Sequence, residues 1–288
     1  MDYFSIKQGF YTGNFKQSLQ AIAKHNKVED ETLEYYRLRN LLALKQYQKT
    51  DSALGAVFDA YAEFLKSGDL ATVAEIAQNH KSPFAQNLLA CAQGLHGDFE
   101  DALKTCQTEI DEDEGTGISE LVLLAVQLAI LAGQSSTAEE IYRNYMAAHE
   151  DLTSDDEIVL NFCESYLHFA RGEETTGSNF YFYEELCQTS PSWKTQLGLL
   201  TLQLQQSNIP EARAIVDLLE SEFYQNQKES ADAFLPDLLA NKITLGVMEG
   251  NNVDQLRTQL ADVDAGHQFC KDHKANSLKL DQIIAKYK

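Results

Sequence analysis

Seven histidines (25, 80, 96, 149, 168, 267 and 273) and five cysteines (91, 106, 163, 187 and 270) have the most scope for metal or nucleophilic chemistry in this chain. A catalytic zinc site on a helix needs two His one turn apart with a Glu between them, and no HExxH or HxxxH spacing occurs. The cysteines are odd in number and share no CxxC spacing, so neither a zinc ribbon nor a disulfide framework is expected. Lying in apolar, helix-periodic segments, they read as small thiols of a packed core. Phosphate-cradling and nucleophile-elbow patterns (GxxxxGK[ST], GxGxxG, GxSxG) do not occur, and Gly115-Thr116-Gly117 runs into Ile118-Ser119-Glu120 without a third Gly. Glu109, Asp111, Asp113, Glu114 and Glu120 come close to a calcium loop. The sixth position from Glu109, however, is Glu114, where the sharp turn of such a loop requires Gly. This stretch therefore reads as a solvated turn. Asp155-Asp156-Glu157 follows Ser154 and reads as negative charge at a helix start, where the dipole favours it. No catalytic, cofactor-binding or metal-binding residue is expected, and no enzymatic activity.

The elements that would have to position such groups are helical. The chain has 288 residues, 44% of them of apolar type, with fifteen Gly and four Pro, which describes a packed chain rather than a disordered one. Its net charge of −21 disfavours nucleic-acid phosphates and anionic lipid surfaces. The longest nearly apolar stretch, Leu121 to Ala132, is interrupted by Gln127 and falls short of the roughly 20 residues a membrane span needs, so it reads as a buried helix. The opening Met1-Asp2-Tyr3-Phe4-Ser5-Ile6-Lys7 has no basic n-region and no apolar run, and no Asn-x-Ser/Thr sequon occurs. A cytosolic chain is expected, without direct membrane insertion.

A recurring cue, Gly-polar-apolar followed by a helix with Ala or Leu, organises the sequence. It begins at Gly13, Gly68, Gly97, Gly133, Gly172 and Gly250, and in altered form at Lys45 and Ser207. The gaps are 32, 23, 29, 36, 39, 35 and 43 residues, a mean just under 34, the length of a tetratricopeptide helix-turn-helix unit. The Gly turns the backbone between two antiparallel helices, and the apolar residue two places later fills the space between them. Ser82-Pro83, Ser190-Pro191 and Pro210 read as helix starts. Phe180-Tyr181-Phe182-Tyr183 has no hairpin partner and leads into Glu184-Glu185-Leu186, so it reads as an aromatic-rich helix. The expected fold is all-α: a tetratricopeptide-like α-solenoid, a right-handed superhelix of 15 or 16 helices in antiparallel pairs. Residues 1–265 would form about eight irregular repeats, and 266–288 an amphipathic capping helix of the same domain with Leu278, Ile283, Ile284 and Tyr287 apolar.

In such arrays the helix before each turn lines the inner groove. Setting each turn at the fifteenth position of its unit nominates Phe84 and Asn87, Leu123 and Gln127, Phe162 and Tyr166, and Lys194, Leu197 and Thr201 as partner-binding positions. The set is largely apolar and suits an extended or helical apolar segment. The competing use of such a fold, a generic adaptor for chaperone or receptor tails, needs a basic groove, and Lys194 is the one basic residue here. A one-residue shift of register would turn these groove positions into core.

Several strings are more specific than the repeat pattern. Met1-Asp2-Tyr3-Phe4-x-Ile6-Lys7-Gln8 running into Tyr11-Thr12-Gly13-Asn14-Phe15 resembles the epsilon subunit family of the COPI vesicle coat (coatomer), of fungal type. So do Leu41-Leu42-Ala43-Leu44-x-Gln46-Tyr47, Ser178-Asn179-Phe180-Tyr181-x-Tyr183-Glu184-Glu185-Leu186, Trp193-Lys194-Thr195-Gln196-Leu197-Gly198-Leu199-Leu200, and His267-x-Phe269-x-Lys271 with Tyr287. The resemblance implies a non-catalytic coat component that needs no cofactor. It implies binding to the C-terminal domain of the coatomer alpha subunit, and through it indirect association with the rest of the coat. It further implies Golgi-to-ER retrograde and intra-Golgi transport, with the protein cytoplasmic and peripheral on Golgi membranes and COPI-coated vesicles.

Overall fold

A computed structural model describes residues 3–25, 30–112, 115–149, 151–172 and 178–287. Among them are seventeen helices and no strand, an all-α fold of the tetratricopeptide-like solenoid class. The chain divides into two compact units, Met1–Glu173 and Glu174–Lys288.

The first unit contains α1 (Phe4–Tyr11), α2 (Phe15–Ala23), α3 (Glu31–Ala43), α4 (Ala53–Ser67), α5 (Leu70–Asn79), α6 (Pro83–His96), α7 (Phe99–Glu112), α8 (Ile118–Leu131), α9 (Ser135–Ala148) and α10 (Ser154–Arg171). Successive helices fold back on one another, and α4, α6, α8 and α10 also pack side by side. The apolar run foreseen at 121–132 is α8, buried along most of its length because it is covered from both sides. Helix α1 then reaches across to α10 as well as to α3.

The second unit contains α11 (Ser178–Thr189), α12 (Trp193–Gln205), α13 (Ile209–Leu219), α14 (Glu222–Gln225), α15 (Lys228–Met248), α16 (Asp254–Val263) and α17 (Gln268–Lys286). Phe180–Tyr183 is helical, as its lack of a hairpin partner suggested. The four-residue α14 is a turn that periodicity over longer windows does not register. Trp193 anchors this unit, edge-on to Tyr224 at 5.9 Å between ring centroids, with its indole N–H donating to the Tyr224 carbonyl oxygen at 3.3 Å. Gly198 lets α11 come close: a Cβ there would lie 2.1 Å from Tyr183 Cε1.

All eight positions picked out by the sequence cue have left-handed backbone. Gly13, Gly68, Gly97, Gly133, Gly172 and Gly250 have φ between 61° and 103°, and Lys45 and Ser207 sit at 56° and 60°. The turn geometry has therefore outlived the glycine at those two places. Helix starts follow local chemistry. Ser82 caps α6, accepting from the Ala85 N–H at 3.3 Å ahead of Pro83. The start expected at Ser190-Pro191 lies two residues later: Ser192 and Thr195 form a reciprocal capping box, which satisfies two orphan backbone groups where Ser190 and a proline would satisfy fewer. Thr153 caps α10, its hydroxyl oxygen accepting from the Asp156 N–H at 3.2 Å.

Candidate partner-binding face

The nominated residues of the first unit do share one face, because they recur at helical spacing on adjacent helices: Phe84 and Asn87 on α6, Leu123 and Gln127 on α8, Phe162 and Tyr166 on α10. Much of that face is covered by the chain's own N-terminal helices. Tyr35 of α3 stacks on Phe84 at 4.4 Å, and its hydroxyl donates to Asn87 Oδ1 at 2.8 Å. The Asn87 amide donates to the Glu120 carbonyl oxygen at 3.1 Å. Tyr11 of α1 lies 5.8 Å from Phe162. Phe84, Asn87, Leu123 and Phe162 are therefore buried, while Gln127 and Tyr166 are half-buried. In the second unit, Leu197 is buried in the core of α12, and Lys194 and Thr201 are half-buried. The Thr201 hydroxyl lies 2.9 Å from the Leu197 carbonyl oxygen and 3.3 Å from Asn241 Oδ1 on α15.

The residues that cover the face were not singled out from sequence. Ring contacts run from Tyr35 to Tyr36 (5.3 Å), on to Phe10 (5.4 Å) and Tyr11 (5.1 Å), and through Phe162 to Tyr166 (6.4 Å). Arg39 lies over Phe10 at 5.3 Å and Tyr35 at 5.6 Å, and its guanidinium donates to the Tyr35 hydroxyl at 3.3 Å. The available signal was the pair of aromatic doublets, Phe10-Tyr11 and Tyr35-Tyr36, the second on a segment otherwise rich in charge. Burial holds the Tyr166 hydroxyl in its neutral form, its pKa pushed up to about 12, and a hydrogen bond with Gln127 pulls the other way. Part-buried rings beside a guanidinium that lies over two of them form the kind of lining that anchors apolar partner segments.

One buried polar cluster locks this arrangement. Lys7 Nζ on α1 lies 2.9 Å from Glu120 Oε1 on α8 and 2.9 Å from Asp156 Oδ1 on α10, and both Lys7 and Glu120 are almost wholly buried. Glu120 also accepts from the Tyr36 hydroxyl at 2.6 Å, and Asp156 from the Thr153 hydroxyl at 2.6 Å. The Ser119 hydroxyl lies within 2.9 Å of Glu120 Oε2 and 2.7 Å of Asp156 Oδ1. Burial alone would lower the Lys7 pKa, but the attraction of Glu120 and Asp156 outweighs it and raises the value. For Asp156, burial pushes upward, and the Lys7 charge with the Thr153, Lys7 and Ser119 hydrogen bonds brings the carboxyl below its usual range. Asp156 is thus more than a helix-dipole charge: it ties α10 to α1.

Cys106 and Cys163 are buried, and burial raises both thiol pKa values, while Cys91, Cys187 and Cys270 are half-buried. Of the acidic stretch, Glu109 and Asp111 lie in the last turn of α7 and Glu120 in the first turn of α8; Asp113 and Glu114 lie outside the described residues. Among the described residues, no three His, Cys, Asp or Glu side chains converge as metal ligands would. No helix among them is long and apolar enough to cross a membrane.

Comparison with known proteins agrees along the whole length. The family model of the coatomer epsilon subunit matches residues 2–288. The coatomer subunit epsilon of Saccharomyces cerevisiae is 49% identical over 292 aligned residues, spanning 100% of this chain and 99% of that relative.

Proposed function

The chain belongs to the coatomer epsilon subunit family, and on that premise we propose that it is a non-catalytic coat component that binds and stabilises the C-terminal domain of the coatomer alpha subunit. Family membership carries the role of a COPI coat component in vesicle transport and association with the rest of that coat. We assign it to Golgi-to-ER retrograde and intra-Golgi transport, cytoplasmic and peripheral on Golgi membranes through the coat. The observation that carries this reading is the end-to-end match at 49% identity, which takes in all of this chain and nearly all of that relative.

The half-buried aromatic face of the first unit supports a partner that is apolar at its contact. Tyr166, Gln127, Phe10, Tyr11 and Arg39 are the part-buried members of that face; in the second unit, Lys194 and Thr201 are the part-buried nominated positions. Affinity chromatography on the immobilised C-terminal domain of the alpha subunit tests the proposal. The full chain should be retained. Tyr166→Ala should weaken retention by about tenfold with helicity unchanged, the size expected of an aromatic anchor at an interface. Unchanged retention of that variant would move the contact off this face. Phe162 and Leu197 are unsuitable probes, because a charge at either would disrupt the core before it reported on binding.

A further inference from the structure

Helix α17 is held by its first turn. Phe269 and Cys270 lie against the small core of Leu239, Ile243, Val253 and Leu260, and every residue from Lys271 to Tyr287 is exposed. The turn starts at His267, the half-buried N-cap of α17. Its Nδ1 lies 3.2 Å from the Phe269 backbone nitrogen, and its Nε2 lies 3.2 Å from Asp237 Oδ1 on α15. The Phe269 N–H can only donate, so Nδ1 must be bare to accept from it. The imidazole proton is thereby assigned to Nε2, where it donates to Asp237. One neutral tautomer satisfies both partners: it caps the helix and ties that helix to α15. The other side-chain caps among the described helices come from Asp, Ser and Thr, whereas imidazole is the side chain whose charge changes between pH 5 and 8.

Protonation removes what this cap needs. An imidazolium carries a proton on both ring nitrogens, so Nδ1 would point a donor at the Phe269 N–H and the first turn would lose its side-chain acceptor. The added positive charge would also sit at the positive end of the helix dipole. The charged neighbours can be named element by element. From α15 comes Asp237. After α16 comes Asp264, whose carboxylate accepts from the Gly266 N–H at 2.9 Å. Helix α16 itself carries Asp262 near its close, and Arg257 paired with Asp254 at its opposite end. On α17, Lys271 and Asp272 stand about one turn on, Asp272 accepting from the Gln268 amide at 2.8 Å. Asp237 would gain an ion pair, but it is 53% exposed, and an exposed pair returns at most a few-fold. The lost cap and the opposed dipole together outweigh that. We propose that His267 is a pH-sensitive latch: neutral, it fastens the start of α17 to α15, and on protonation it lets the first turn open and Phe269 and Cys270 leave their packing. The opening is local, without unfolding of the rest of the chain.

Amide hydrogen exchange of the full chain at about pH 7.5 and about pH 5.5, each corrected for the intrinsic exchange rate at that pH, reads the latch at the first turn of α17. Protection there should fall by about tenfold at the lower pH. H267N keeps an accepting cap that carries no charge at either pH, so its protection should be the same at both. H267A has no cap to lose and should be equally weakly protected at both. H273Q removes the other imidazole of α17 and should behave as the unsubstituted chain does. Equal protection of the unsubstituted chain at the two pH values would overturn the inference. So would an H267N chain that loses protection at the lower pH as the unsubstituted chain does, because another group would then be responsible.

Discussion

Three carboxylate or ammonium groups carry most of the electrostatic consequence in the first unit. Lys7 balances the Glu120 carboxylate where water cannot reach and also pairs with the partly exposed Asp156, so its removal should cost far more than a surface ion pair. Lys7→Met should destabilise the chain by about 3–5 kcal/mol in denaturant unfolding, and adding Glu120→Gln should restore part of the loss because no buried charge is then stranded on α8. A loss under about 1 kcal/mol would mean that Glu120 is solvated. The same cluster sets a pH range. Asp156 has its folded-state pKa below the ordinary 3.8, so its contribution is complete above that pH and is lost as pH falls through the lower, folded value. Lys7 is raised above 10.5, so its contribution is complete below 10.5 and is lost as pH rises through the folded value. Stability from this cluster should be flat between those limits; unfolding followed across pH checks it, and a slope near neutrality would contradict it. None of this was legible in the sequence. Lys7 and Asp156 are 149 positions apart and Tyr36 and Glu120 are 84 apart, and periodicity reports only what lies within a few turns.

At the scale of elements, the sequence was most informative at the turns. A left-handed residue between paired helices leaves a direct mark, usually Gly, and the mark remains readable by position even where Lys45 and Ser207 have replaced it. Because each of those two holds a conformation that costs an L residue free energy, Lys45→Gly and Ser207→Gly should each stabilise by up to about 1 kcal/mol, read as a higher thermal midpoint. Destabilisation by either would show that its side chain contributes contacts that outweigh the backbone strain. The opposite case is Gly198, whose freedom from a Cβ lets α12 meet Tyr183 of α11. Gly198→Ala should cost about 1–3 kcal/mol through overpacking, and an unchanged midpoint would show that α11 can retreat freely. Groove positions were less legible than turns. Phe84 and Phe162, expected to line a groove, are buried: which face a helix shows is local information, and what covers it is not. Here α1 and α3 do, through Tyr11 and Tyr35.

For the whole molecule, composition set useful outer limits and the resemblance supplied the identity. An acidic chain of paired helices describes many interaction proteins. The strings around Met1, Leu41, Ser178, Trp193 and His267 separated this one from the rest, and the match over residues 2–288 shows that they belong to one family. Charge is unevenly distributed along that length, with the basic stretch confined to the last residues, on the helix that packs least. The proposed partner, met by the aromatic face of the first unit, would give that face a use. Calorimetric titration of the purified C-terminal domain of the alpha subunit into the purified full chain tests that claim most directly. Saturable one-to-one binding with a Kd below about 1 μM is the predicted result, and no heat of binding at micromolar concentrations would contradict it.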